Sequence, residues 1–270
     1  MTQTIENLFP TVQAPLLVLD SWNYVQRLFL SGAAIPWHDP AAFDAVYRQA
    51  LGLLRPQLAT LDLNRLILAH AERQPDLLVA MTRRPRLSFP IKTLLADPAL
   101  AQNLKQLIAT TRDARGTRPL ILTLCTPLEL LRQLYEMAHD QAMPAESQDD
   151  AERAAVYLAD FLTRAAHEGV AGLMVVDQTG QAGQSGFADA ISPLVNLSKH
   201  MRWKLLLASQ AELGDIHGID LIWAPSHCTG QWMGDFLTDE PRTGIATVFS
   251  EVPAQAQPEQ VLARIAELTR

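Results

Sequence analysis

Residues 150–177 constrain the fold more than any other stretch of the chain. Ala154, Tyr157, Phe161, Leu162, Ala165 and Ala166 recur at helical spacing, with Asp160, Arg164 and His167 between them. Glu168-Gly169 closes that helix, and Leu173-Met174-Val175-Val176 follows with no polar alternation. A strand without a polar face is covered on both sides, as in parallel sheets wrapped by helices. Asp177-Gln178 then stands where the strand emerges, at the edge where parallel α/β proteins bind ligands. One segment therefore predicts a fold class and the place of a site. It is silent on the reaction.

The same alternation runs along the chain. Apolar runs predict strands over residues 15–20, 77–81, 119–124, 173–176, 203–208, 220–224 and 245–249, while Leu66–Ala69 reads equally as a strand or as part of a short helix. Asp39 as N-cap and Pro40 at the first position start a helix predicted through about residue 58. Further helices follow roughly over 91–112, 127–139 and 187–200, and from Pro258. An open doubly wound sheet often carries a Gly-rich nucleotide turn after its first strand, but here Asp20 is followed by Ser21-Trp22-Asn23. With 66–69 included, the pattern gives eight strand–helix units in about 250 residues, which matches a closed β/α barrel. The expected architecture is α/β, a single-domain (β/α)8 TIM-type barrel over residues 1–270, with 1–14 as an N-terminal extension.

Composition narrows the partners. Hydrophobic residues make up 48% and charged residues 19% of 270, too apolar for disorder. A formal net charge of −7 argues against nucleic-acid binding, which needs a concentrated basic surface. Two cysteines, Cys125 and Cys228, are too few for a disulfide framework and suit a reducing, cytoplasmic setting. The first ten residues, MTQTIENLFP, lack the basic and apolar regions of a signal peptide, and no apolar run approaches the ~20 residues of a membrane helix. The expected partners are an anionic small molecule and, as a candidate homodimer, a second copy of the chain, with neither nucleic acid nor membrane.

Three segments, PLILTLCTPLELLRQL, FLTRAAHEGVAGLMVVDQTG, and WKLLLASQ with DLIWAP and TGIATVFSEVPAQAQPEQVLARI, resemble the uroporphyrinogen decarboxylase family and its corrinoid-methyltransferase and cobalamin-independent methionine synthase relatives. The resemblance is one of pattern and covers roughly residues 119–270. It implies a β/α barrel with decarboxylase or methyl-transfer chemistry in its mouth. The chain departs from the family at three places, of which the first is the missing early Arg-rich loop of the decarboxylases. The Phe-Ser-Asp segment of the decarboxylases has only Ser88-Phe89-Pro90 as an echo. Where the methyltransferases place a zinc-binding His-x-Cys pair, this chain has Ser209-Gln210-Ala211. The expectation is therefore no metal and no cofactor.

Candidate site residues follow from the predicted strand ends. Asp20, Asp177 and Glu251 are acids at or just after such ends, and paired carboxylates can divide acid and base roles. The catalytic set is Asp177, His227 and Asp20; the substrate-binding set is Arg84, Arg83, Gln178, Gln210 and Trp22. Arg83, Arg84 and Arg86, with Lys92, form the densest basic cluster, at the exit of the strand expected over 77–81, where a guanidinium could take a carboxylate or phosphate. His227-Cys228 is a candidate for metal or thiol chemistry, although adjacent side chains usually diverge and rarely share one metal. Gly180, Gly183 and Gly186 fit a mobile loop better than a phosphate cradle. The function expected is a metal-independent, decarboxylase-like lyase for an anionic carboxylated small molecule, with a methyltransferase or a non-catalytic binding barrel as the alternatives. Asp177→Asn is expected to lower ligand function while leaving stability nearly unchanged.

Overall fold

Five strands form one sheet in the order β2 (Ala59–Asp62), β3 (Leu120–Cys125), β4 (Gly172–Asp177), β5 (Lys204–Ser209) and β6 (Leu221–Trp223). Three more form a second sheet in the order β1 (Leu16–Asp20), β8 (Thr247–Glu251) and β7 (Gln231–Met233). Every ladder is parallel. The computed structural model describes residues 8–12, 14–166 and 168–269, so His167 and the residues 1–7 weighed above as a signal segment lie outside it.

A parallel bridge between Ala224 and Gln231 links the exit of β6 to the entry of β7. The strands thus run in one continuous order from β2 through β8 to β1. Among the described residues no ladder joins β1 to β2, and a closed hydrogen-bonded barrel is not detected. A small apolar cavity of about 40 Å³ lies along that seam, lined by Val18, Trp22, Tyr47, Leu51, Leu58 and Thr60 among others.

The helices are α1 (Trp22–Leu30), α2 (Pro40–Leu54), α3 (Leu63–Glu72), α4 (Pro75–Met81), α5 (Phe89–Leu95), α6 (Pro98–Arg115), α7 (Pro127–His139), α8 (Gln148–Ala165), α9 (Phe187–Ala190), α10 (Ser192–Met201) and α11 (Pro258–Leu268). Their starts are chemically marked. Asp39 accepts from Ala41 and Ala42 N–H at 3.0 and 3.1 Å ahead of Pro40, and Ser147 and Asp150 form a capping box at α8.

Strand residues alternate between two hydrophobic clusters. Leu17, Leu122, Leu173, Val175, Leu205 and Leu207 pack with the helices. Leu16, Val18, Ile121, Met174, Leu206, Trp223, Trp232 and Phe249 form the other cluster, together with Leu8, Phe9 and Val12 from the stretch set apart as an extension. Both faces being apolar explains why the strands read as continuous apolar runs.

One predicted strand, 77–81, is helical, the open choice at 66–69 falls to helix, and two observed strands lie elsewhere. Residues 77–81 lie in α4, where Pro75 takes a first-turn position; Val79 is 64% exposed, so its apolar character carried no burial signal. Residues 66–69 lie in α3, which Asp62 caps through Arg65 N–H at 3.0 Å. The helix expected through residue 58 stops at Leu54, because Arg55 turns left-handed at φ 45° just before Pro56. That stop releases Ala59–Asp62 as β2, while β7 is three residues long and has too little sequence to show a period.

Candidate functional site

Strand alternation decides which polar groups meet where the strands end. Leu16 and Val18 face the second cluster, so Asp20, two residues on, ends β1 on the same face. Glu251 pairs with Asp20 in the β1–β8 register, and parallel neighbours in register share a face. The same count from Leu58 puts Asp62 there, and from Ile121 puts Cys125 there. Three carboxylates and a thiol therefore close the C-terminal ends of β8, β1, β2 and β3.

A hydrogen-bonded chain links Asp62 to Glu251. Asp62 Oδ2 accepts from Arg65 Nε at 2.9 Å, Arg65 Nη2 donates to Asn23 Oδ1 at 2.8 Å, and Asn23 Nδ2 donates to Glu251 Oε1 at 3.0 Å. Beside it, the Cys125 thiol donates to Asn64 Oδ1 at 3.0 Å, and Asn64 Nδ2 donates to Gln133 Oε1 at 3.3 Å. Asp20 accepts a long bond, 3.4 Å, from Trp22 N–H. Burial pushes the Asp20 carboxyl up to about 6, reinforced by Asp62 and Glu251 and opposed by Arg65. Burial raises Asp62 as well, against the pull of Arg65. The Cys125 thiol is held well above its ordinary value, first by burial and then by Glu129 and Asp62. The thiol is thus a neutral hydrogen-bond donor, whereas Asp20 can exchange a proton close to neutrality.

The residues predicted from sequence are dispersed. Of the catalytic trio, Asp20 joins this cluster. Asp177 ends β4 on the opposite, helix-covered face, one step out of phase with Met174 and Val176. There it is fully buried, accepting from Gln181 N–H at 3.0 Å, Ala182 N–H at 2.8 Å and Ser209 Oγ at 2.8 Å, with longer bonds from Thr179. His227 is buried beyond β6 against Asp215 and Thr229. Gln178 and Gln210 lie exposed beyond β4 and β5.

Arg83 and Arg84 stand in an exposed turn after α4 rather than at a strand end, which corrects their placement at a strand exit. Arg84 lies over the Phe89 ring at 5.3 Å, on a helix, α5, that packs on α7 and α8. Trp22 belongs to an aromatic stack, its ring 5.0 Å from Trp37 and 5.8 Å from Phe43, and contributes to the core. Ser209, which ends β5, is buried and spends its hydroxyl on Asp177, so this strand end does not fit a zinc site.

Sequence reasoning missed Asp62, Arg65, Asn23 and Asn64. The usable signal was Asp62-Leu63-Asn64-Arg65, an N-cap acid three residues before an arginine, which becomes visible once the helix is stopped at Pro56. No protein-family model matches the chain, and no curated protein matches it in sequence.

Proposed function

We propose that the protein is a small-molecule lyase of decarboxylase-like chemistry, with Asp20 as its proton donor. In this reading the eight strands make a (β/α)8 barrel whose β1–β2 seam is bridged by side chains, and the mouth lies over that seam. The carrying observation is the environment of Asp20, a half-buried carboxyl raised to about 6 between Asp62 and Glu251. Loss of carbon dioxide leaves an electron pair on the substrate carbon; the Asp20 proton neutralises it, and water restores that proton. Arg65 orients the substrate. Its Nε and Nη2 groups are engaged by Asp62 and Asn23, and Nη1 is left to meet a substrate carboxylate. The neutral Cys125 thiol and the Asn64 amide supply further polar contacts without adding charge.

The test is a panel of small mono- and dicarboxylic acids assayed for binding by thermal shift and for release of carbon dioxide. Turnover in the wild type that disappears in Asp20→Asn, with binding retained, supports the reading. Binding without turnover throughout the panel would make the chain a ligand-binding protein, and turnover unaffected by Asp20→Asn would remove Asp20 from the mechanism.

A further inference from the structure

We infer that Asp215, His227 and Cys228 form a binding site for a divalent transition-metal ion of the zinc class, separate from the carboxylate cluster at β1, β2 and β8. One ligand atom from each of the three lies within 4.8 Å of the others. The usual divergence of adjacent side chains does not hold here, because the chain turns after Ala224, with His227 N–H donating to Ala224 O at 3.4 Å. The imidazole is 4% exposed, and its Nε2 has no hydrogen-bond partner although Asp215 Oδ1 lies 3.3 Å away. A buried ring nitrogen left without a partner is a departure that calls for an occupant.

The surroundings hold the donors in place. Arg242 Nη2 donates to His227 O at 2.6 Å, fixing the turn, while Arg242 N–H is tied to Gln231 Oε1 at 2.7 Å. Thr229 Oγ1, 3.0 Å from Nδ1, can accept the Nδ1 proton, which leaves the Nε2 lone pair directed at the cluster. The Thr229 amide, 3.4 Å from Nδ1, favours the opposite tautomer, so metal binding has to offset that weak contact. One imidazole, one carboxylate and one thiolate suit zinc, and the exposure of Asp215 and Cys228 leaves a fourth position open to water. A plain His–Asp ion pair would give Cys228 no part, and this difference is measurable.

The experiment titrates Co2+ into the reduced, chelator-stripped full chain and follows its absorption, then displaces Co2+ with Zn2+. The expected result is saturation at a one-to-one ratio with a thiolate-to-cobalt charge-transfer band and the strong visible bands of tetrahedral cobalt. Cys228→Ser should abolish the charge-transfer band, and Asp215→Asn should weaken binding more than about tenfold. Both changes fall on exposed side chains, so circular dichroism should show the fold intact even if His227→Gln does not fold. Absence of saturable Co2+ binding, or a band and affinity that survive both exposed substitutions, would overturn the assignment.

Discussion

Arg65 Nη2 donates to Asn23 Oδ1 at 2.8 Å, tying the helix that follows β2 to the helix that follows β1. Among the described residues these two strands share no ladder, so side chains do what backbone hydrogen bonds do elsewhere. At the other end of the seam Gln57 Nε2 donates to Pro15 O at 2.9 Å. The upper tie lies beside Asp20, and any group entering there meets a carboxyl, a guanidinium and two amides together.

Asp20→Asn should stabilise the protein at neutral and alkaline pH. The folded carboxyl titrates at about 6, above its ordinary value of 3.8, so ionisation opposes folding. Below about pH 4 the wild type and the variant should be equally stable. Between that value and 6 the wild type loses ground, and above 6 the variant should lead by on the order of 1–2 kcal/mol after screening at the half-buried rim. Chemical denaturation at pH 4 and pH 8 measures it; a variant less stable than wild type at pH 8 would contradict the raised carboxyl.

Carboxylated ligands should bind more tightly at acid pH, because the rim gains a negative charge as Asp20 ionises through about 6. Arg65→Lys keeps the charge but loses the planar fork that spans Asp62 and Asn23. It should weaken such ligands by about 10- to 100-fold, the equivalent of ~1.5–3 kcal/mol in charge-assisted hydrogen bonding. Calorimetric titration across pH 5–8 with both proteins (a range of roughly neutral buffers) tests the pair of statements.

Asp177→Asn should destabilise the fold and leave the binding of small carboxylates intact. Oδ2 accepts from both Ala182 N–H and Ser209 Oγ, and Oδ1 accepts from Gln181 N–H, so an amide nitrogen in either place meets a donor. The expected loss is about 2–4 kcal/mol by urea denaturation. A stable variant with impaired ligand binding would return Asp177 to the working site.

Gly230→Ala should disrupt the junction of the two sheets. A Cβ there would stand 2.4 Å from Ile222 O and 2.9 Å from Thr247 Oγ1, where Ala224 N–H donates to Gly230 O at 3.4 Å. About 2–3 kcal/mol of stability should be lost. Gly214→Ala, with nothing within 4 Å of its added carbon, should stay within about 0.5 kcal/mol of wild type in the same denaturation experiment.

The sequence pattern reveals the parallel, helix-wrapped class and six of the strands, because a segment covered on both faces leaves an unbroken apolar run. It conceals β2 and β7, of four and three residues, since so few positions cannot display a period. At the site, Asp20 is legible as a strand-end acid. Asp177 looks equivalent in sequence, yet one step of alternation turns it to the helix-covered face, and register cannot be counted without the partner strand. Arg65 is hidden for a related reason: its value depends on a strand whose presence the preceding helix masks.

Among the described residues β1 has one ladder partner, β8, which follows the other strands in the chain. During synthesis β1 must therefore wait without its ladder partner until β8 has followed it. β2 to β6 can meanwhile assemble by pairing each new strand with its neighbour. Folding should thus proceed in two stages, with docking of the β1–β8–β7 sheet as the late, slow event. Asp20, Glu251 and the Asn23–Arg65 tie come together only in that second stage, so competence at the proposed site would mark completion of the fold.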